Sequence, residues 1–191
     1  MTLNGTIAGR SGAVPVFLIP NRMILMALLF LPATLLHAAG FWSTAASACV
    51  VDEASVSKFA VSGARLNFLA GQTGQVVARC NITNPLDSGG NPQWNIMQVT
   101  YTDQDGTATA NQVLVTLKRV HVTDGVSSTI ATFSSNGYSG SSLPQSKLQA
   151  VSHTFDFLNY AYYIEIVLSR SSAVAGNDPA LYRVGLFRFT L

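Results

Sequence analysis

The chain has 191 residues, of which 48% are hydrophobic and only 10% are charged, against about 25% charged in an ordinary soluble domain. Residues 1–48 contain two basic and no acidic side chains, so residues 49–191 carry nine of each and have no net charge. This composition excludes a basic nucleic-acid-binding domain, a coiled coil and a charged disordered tail.

An apolar run at residues 23–36, MILMALLFLPATLL, follows Arg22 directly, and small residues then lead to Ala46-Ser47-Ala48. A positive flank, a short apolar run and an A-x-A site form the pattern of a secretory signal peptide. A membrane anchor is the alternative, because residues 23–42 are long enough to span a bilayer. The sequence leaves open whether translation starts at Met1 or at Met23.

Cleavage after the A-x-A site predicts two parts, with residues 1–48 as an N-terminal extension and signal peptide and residues 49–191 as one domain. We expect this domain to be exported, secreted or periplasmic, and to have no membrane span after cleavage. Cys49 and Cys80 are the two cysteines of the chain, and in an exported protein two cysteines predict one disulfide. A lipid anchor on Cys49 is the alternative, because the preceding residues loosely resemble a bacterial lipobox.

Short runs rich in Val, Ile, Thr, Tyr and Phe follow, separated by Gly, Asn, Asp, Ser and Pro, which is typical of strands and turns. The predicted strands are 64–69, 75–83, 94–102, 112–122, 127–133, 148–157, 161–168 and 181–191. In the third of them, Asn95, Met97, Val99 and Tyr101 form the face predicted to be buried.

Three connections in the second half have their own signatures. The apolar positions of 112–122 change parity, which predicts a β-bulge near Lys118-Arg119. Asp124-Gly125 predicts a hairpin turn, and residues 134–146 predict a polar loop.

About eight or nine strands in total favour a single antiparallel β-sandwich or jelly roll. A parallel sheet is excluded because no crossover helix is available.

Three C-terminal stretches carry a resemblance: HTFDF at 153–157, YYIEIVLSR at 162–170 and PALYRVGL at 179–186. They resemble the end of small uncharacterised exported β-proteins of Gram-negative bacteria. The resemblance covers only the C-terminal part of the chain. It implies a compact extracytoplasmic β-fold and supplies no catalytic or binding residue.

Motifs for catalysis or metal binding are incomplete. Residues 137–141, GYSGS, lack the last glycine of a nucleophile elbow, and His121 and His153 are far apart in sequence. Asp103-x-Asp105-Gly106 begins like a calcium loop but lacks its glycine and glutamate at the sixth and twelfth positions, so we predict an Asx-supported turn. Glu165 is expected to be solvated or paired with an arginine. We expect no metal, no cofactor and no catalytic residue.

Aromatic rings mixed with Asn and Gln are the remaining signal, because rings can stack on sugar faces while amides bind hydroxyl groups. Trp94 follows a long Gly/Pro loop and Tyr138 stands among small polar residues, so these two are the predicted ligand-binding residues. The alternative is that such rings are core and cross-strand partners. We predict a non-catalytic binding or surface-interaction module for a carbohydrate or cell-surface partner. A pilin-like or coat-like structural subunit and a secreted hydrolase are the alternatives.

Overall fold

The computed structural model describes residues 40–86, 89–173 and 178–190. The apolar run of the predicted leader lies outside the described residues, as does most of the predicted turn at 175–179. The described part contains eleven strands: β1 (Trp42–Ala45), β2 (Val50–Val51), β3 (Phe59–Ser62), β4 (Arg65–Phe68), β5 (Gly74–Ile82), β6 (Ile96–Asp103), β7 (Asn111–His121), β8 (Ser127–Ser134), β9 (Ser141–Ala150), β10 (Tyr160–Arg170) and β11 (Ala180–Phe187).

The strands form two antiparallel sheets, which confirms the predicted β-sandwich. One sheet has the order β3-β4-β11-β6-β9, with β1 also paired to β11, and the other has the order β2-β5-β10-β7-β8. Two short strands share one edge of β11, because β4 pairs with Ala180 and Leu181 while β1 pairs with residues 183–186.

The core lies between the inward faces of the two sheets. Alternate positions of each long strand point inward, as expected for strands with one buried face. In β6 the predicted inward residues Met97, Val99 and Tyr101 are fully buried, whereas Asn95, just before the strand, is exposed. The inward residues of β7 and β10 are aliphatic and fully buried at Val113, Val115, Leu117, Ile164, Ile166 and Leu168.

A disulfide joins Cys49 to Cys80, with their Cα atoms 4.6 Å apart. Cys80 is an inward position of β5, and Cys49 immediately precedes β2. The predicted pairing is therefore confirmed, and it ties the segment between β1 and β2 to β5 of the five-stranded sheet. The same sulfur cannot also carry the thioether of a lipid anchor.

Residues before Cys49 are part of the folded unit. Trp42 in β1 is 8% exposed, Ala46 is 1% exposed, and the Ser47 N–H donates to the Ala64 carbonyl at 3.2 Å. The folded unit therefore begins upstream of the boundary that we predicted between residues 48 and 49. The small residues that resemble a peptidase site here form a tight 3₁₀ turn, Ala46–Ala48.

Two connections differ from the prediction. The expected polar loop at 134–146 contains the start of β9, and the expected strand at 148–157 ends at Ala150. β9 is an edge strand with exposed or half-buried positions throughout, so it lacks the apolar alternation that marks a strand in sequence. The irregularity near Lys118 is present, but the unpaired residue is Ile130 of β8, while β7 keeps a continuous register with β10.

Candidate functional site

A cleft of about 220 Å³ opens at one end of the six-stranded sheet. Three separate segments line it: 92–95 before β6, 151–154 after β9, and Arg188 after β11. Ile96 pairs with Ala150 of β9 on one side and with Phe187 of β11 on the other. The antiparallel order therefore brings the start of β6 together with the ends of its two neighbours. The lining residues are Pro92, Gln93, Trp94, Asn95, Val151, His153, Thr154 and Arg188.

Trp94 lines the cleft but is only 2% exposed. Its ring packs edge-on against Phe155, with centroids 4.8 Å apart, and its Nε1–H donates to the Gly40 carbonyl. Trp94 is thus a core ring, which is the alternative given above for the predicted aromatic residues. A large ring next to Phe155 and Phe157 removes more apolar surface from water by packing inward than by standing out in solvent.

His153 belongs to a hydrogen-bond chain behind the cleft. The Asp156 N–H donates to the Tyr162 hydroxyl at 2.8 Å, and this hydroxyl lies 3.1 Å from Nε2 of His153. Burial, with a smaller contribution from Arg119, lowers the pKa of His153, so its ring is neutral at neutral pH. In the tautomer with the ring hydrogen on Nδ1, Tyr162 donates to Nε2 and Nδ1 is a donor; in the other tautomer, Nε2 donates to Tyr162.

The rim of the cleft carries exposed polar side chains that are not involved in hydrogen bonds or ion pairs with other described residues. Gln93, Thr154 and Arg188 are exposed, and within the described part of the chain their side chains make no hydrogen bond or ion pair. Asn95 differs, because its amide exchanges two hydrogen bonds with the Phe189 backbone at 2.7 and 2.9 Å. This exchange fixes the segment after β11 and so positions Arg188.

The second predicted residue, Tyr138, lies elsewhere. Its ring stacks on Phe133 with centroids 5.5 Å apart and planes 18° apart, and Nζ of Lys147 is 5.2 Å from the ring centroid. Phe133 in turn packs against Tyr101, near the far end of β6 from Trp94. The structure does not bring Trp94 and Tyr138 together, and Tyr138 packs onto the sandwich.

The outer face of the five-stranded sheet holds an ion-pair network. Glu165 lies 2.6 Å from Nζ of Lys118 and 3.2 Å from Arg79, and Arg79 also contacts Asp52. The hydrogen bond from Lys118 lowers the pKa of Glu165. The predicted arginine partner of Glu165 is confirmed, and these charges neutralise one another.

Within residues 40–86, 89–173 and 178–190, no helix is long and apolar enough to cross a membrane. The chain matches no family model and no curated protein. The resemblance of its C-terminal stretches to exported β-proteins therefore stays a prediction.

Solved structures with a distant likeness include three carbohydrate-binding modules. The CBM36-1 domain of a multidomain xylanase from the hindgut metagenome of Trinervitermes trinervoides is 14% identical, with a TM-score of 0.40 over 79% of this chain and 99% of that one. The xylan-binding module CBM86 from Roseburia intestinalis is 12% identical, with a TM-score of 0.37 over 76% and 93%. The family 11 module of the Clostridium thermocellum cellulase Lic26A-Cel5E is 9% identical, with a TM-score of 0.40 over 78% and 88%. At these scores the likeness assigns neither a family nor a ligand to this chain.

Proposed function

We propose that the protein is an exported, non-catalytic binding module whose cleft takes a hydroxyl-rich ligand of the carbohydrate class. The observation that carries this proposal is the set of exposed polar groups around the cleft that have no hydrogen-bond partner among the described residues: the Gln93 amide, the Thr154 hydroxyl and the Arg188 guanidinium. A few convergent polar groups commonly fix the orientation of a ligand in its site. At about 220 Å³ the cleft is smaller than the roughly 300–1,000 Å³ of drug-sized sites and suits one sugar unit.

The charge pattern favours a neutral ligand over a polyanion. Among the described residues that line the cleft, Arg188 is the one charged side chain, and His153 is neutral at neutral pH. Residues 49–191 carry equal numbers of acidic and basic side chains, so there is no general field to steer a polyanion to the site. Amide, hydroxyl, guanidinium and imidazole groups together donate and accept hydrogen bonds, as sugar hydroxyls require.

Export is supported by the disulfide, because disulfides persist in oxidising compartments. We propose that any cleavage of the leader falls upstream of Trp42, since a cut after Ala48 would remove β1 and a buried tryptophan from the sheet. In the structural-subunit alternative the chain would pair with its own copies. Against this, β1 is hydrogen-bonded within its own chain rather than offered to a neighbour.

A glycan array followed by calorimetric titration of the strongest ligand tests the proposal. We expect Gln93→Ala and Arg188→Ala each to weaken binding about tenfold, since a lost hydrogen bond is worth about 1–1.5 kcal/mol. Arg183→Ala is the matched control, because Arg183 is an exposed arginine on β11 that stacks on Phe41 outside the cleft. The proposal fails if no glycan binds, or if the cleft variants bind as tightly as the control. Concentration-dependent polymers on gel filtration would instead support the structural subunit.

A further inference from the structure

Large apolar side chains stand in solvent at the end of the sandwich that holds the cleft. They lie just before β1, in the β7–β8 turn, in the turn before β10 and after β11, and each is 47–84% exposed: Phe41, Val122, Val126, Leu158 and Phe189. Single exposed apolar residues scattered over a protein need no explanation, but a group of them on one surface marks a contact with a partner or a membrane.

Backbone contacts place this group around the cleft. The Phe189 N–H donates to the side chain of Asn95, which lines the cleft on the β11 side. On the β10 side, Leu158 follows the cleft-lining segment that comes after β9. The Val122 N–H donates to the Asn159 carbonyl at 3.0 Å, so the β7–β8 turn lies beside Leu158. The exposed apolar residues therefore flank the cleft from both sheets.

The charges at this end do not suit an anionic partner. In the described loops at the cleft end, Arg188 is the one cation at neutral pH, and Asp124 and Asp156 are the acids. Asp124 lies 3.3 Å from Nδ1 of His121, and Asp156 accepts from the Asn159 amide at 2.7 Å. Anionic headgroups are recognised by clusters of Lys and Arg side chains. This end therefore fits a surface without net charge.

The chain also enters the domain at this end. The Gly40 carbonyl accepts from Nε1–H of Trp94, which lines the cleft, and the apolar run 23–36 ends four residues before Gly40. Four residue steps reach at most about 14 Å. A secretory leader crosses the membrane during export, and an anchor stays there. While the run is in a bilayer, the cleft end is thus held close to the surface of that bilayer.

We propose that the cleft end docks on a lipid surface and that the cleft takes the sugar headgroup of an uncharged glycolipid. This rests on the proposed function, because it names the source of the sugar. The exposed aliphatic and aromatic side chains enter the boundary between headgroups and acyl chains, where they gain free energy by leaving water. The cleft, which suits one sugar unit, then faces the headgroups.

The strongest ligand from the glycan array, coupled to diacylglycerol and placed in phosphatidylcholine vesicles, tests the proposal. The exported protein is titrated with the free glycan and with these vesicles. We expect at least tenfold tighter binding to the vesicle-borne glycan, since burying one large apolar side chain is worth about tenfold in affinity. Equal affinities for the two forms would overturn the proposal and leave the proposed function standing. Failure to bind any glycan would overturn both.

Two exposed leucines provide a matched pair of variants. Leu158 is 84% exposed at the cleft end, and Leu143 is 73% exposed near the start of β9, at the opposite end of the sandwich. Leu158→Ser should lose most of the gain on vesicles and keep its affinity for the free glycan, whereas Leu143→Ser should keep both. Equal vesicle affinities in the two variants would overturn the proposal. A wild-type dimer on gel filtration that Leu158→Ser abolishes would overturn it in favour of a second copy of this chain.

Discussion

Replacing Trp42 by alanine tests whether the segment before Cys49 belongs to the mature fold. Trp42 is 8% exposed and pairs with Leu186 across the β1–β11 ladder. Removing a buried tryptophan side chain costs about 3–5 kcal/mol, and the lower end applies here because β1 is short and at an edge, where the structure can relax. A loss of about 3 kcal/mol lowers the Tm by about 6–12 °C in a domain of this size.

The measurement is thermal unfolding of the exported protein, with Phe41→Ala as its control. Phe41 is the neighbouring aromatic residue but is 47% exposed, so its removal should change the Tm by no more than about 2 °C. An unchanged Tm for Trp42→Ala would refute the reasoning, because it would mean that Trp42 has been cleaved away. N-terminal sequencing of the same samples should begin upstream of Trp42, whereas a start at Cys-Val-Val-Asp would place the cut after Ala48.

Three further changes have defined outcomes. Cys80→Ser opens a covalent loop with a sequence separation of 31 and should lower the free energy of unfolding by about 3–4 kcal/mol in the chain-entropy model; two free thiols in the exported wild-type protein would contradict this. The pKa of Glu165 is lowered by Lys118, so its contribution to stability is present above the unfolded pKa and lost as pH falls through the folded one. Glu165→Gln should therefore flatten the acid side of the Tm–pH profile, and an unchanged slope would count against the pairing. Tyr138→Ala should lower the Tm by about 3–6 °C because the ring stacks on Phe133, and a shift within one degree would show that the stacking contributes nothing.

The long central strands could be predicted from the sequence, whereas the short and peripheral ones could not. β6 and β10 are buried on one face and exposed on the other, so their apolar residues alternate and mark both the strand and its inward side. Among the described strands β9 pairs only with β6, and it has no fully buried position, so its polar sequence carries no alternation. β1 was not predicted for a different reason. Its small and apolar residues follow the apolar run of the predicted signal peptide, so they were assigned to that signal peptide.

The candidate cleft was only partly predictable. Trp94 was singled out, but its burial depends on Phe155, which is some sixty residues away in the chain and reaches it only in the folded sandwich. Gln93, Thr154 and Arg188 meet because β9, β6 and β11 are neighbours in that order. Local sequence does not specify the order of strands in a sheet, so no sequence motif could have predicted that these three residues lie close together.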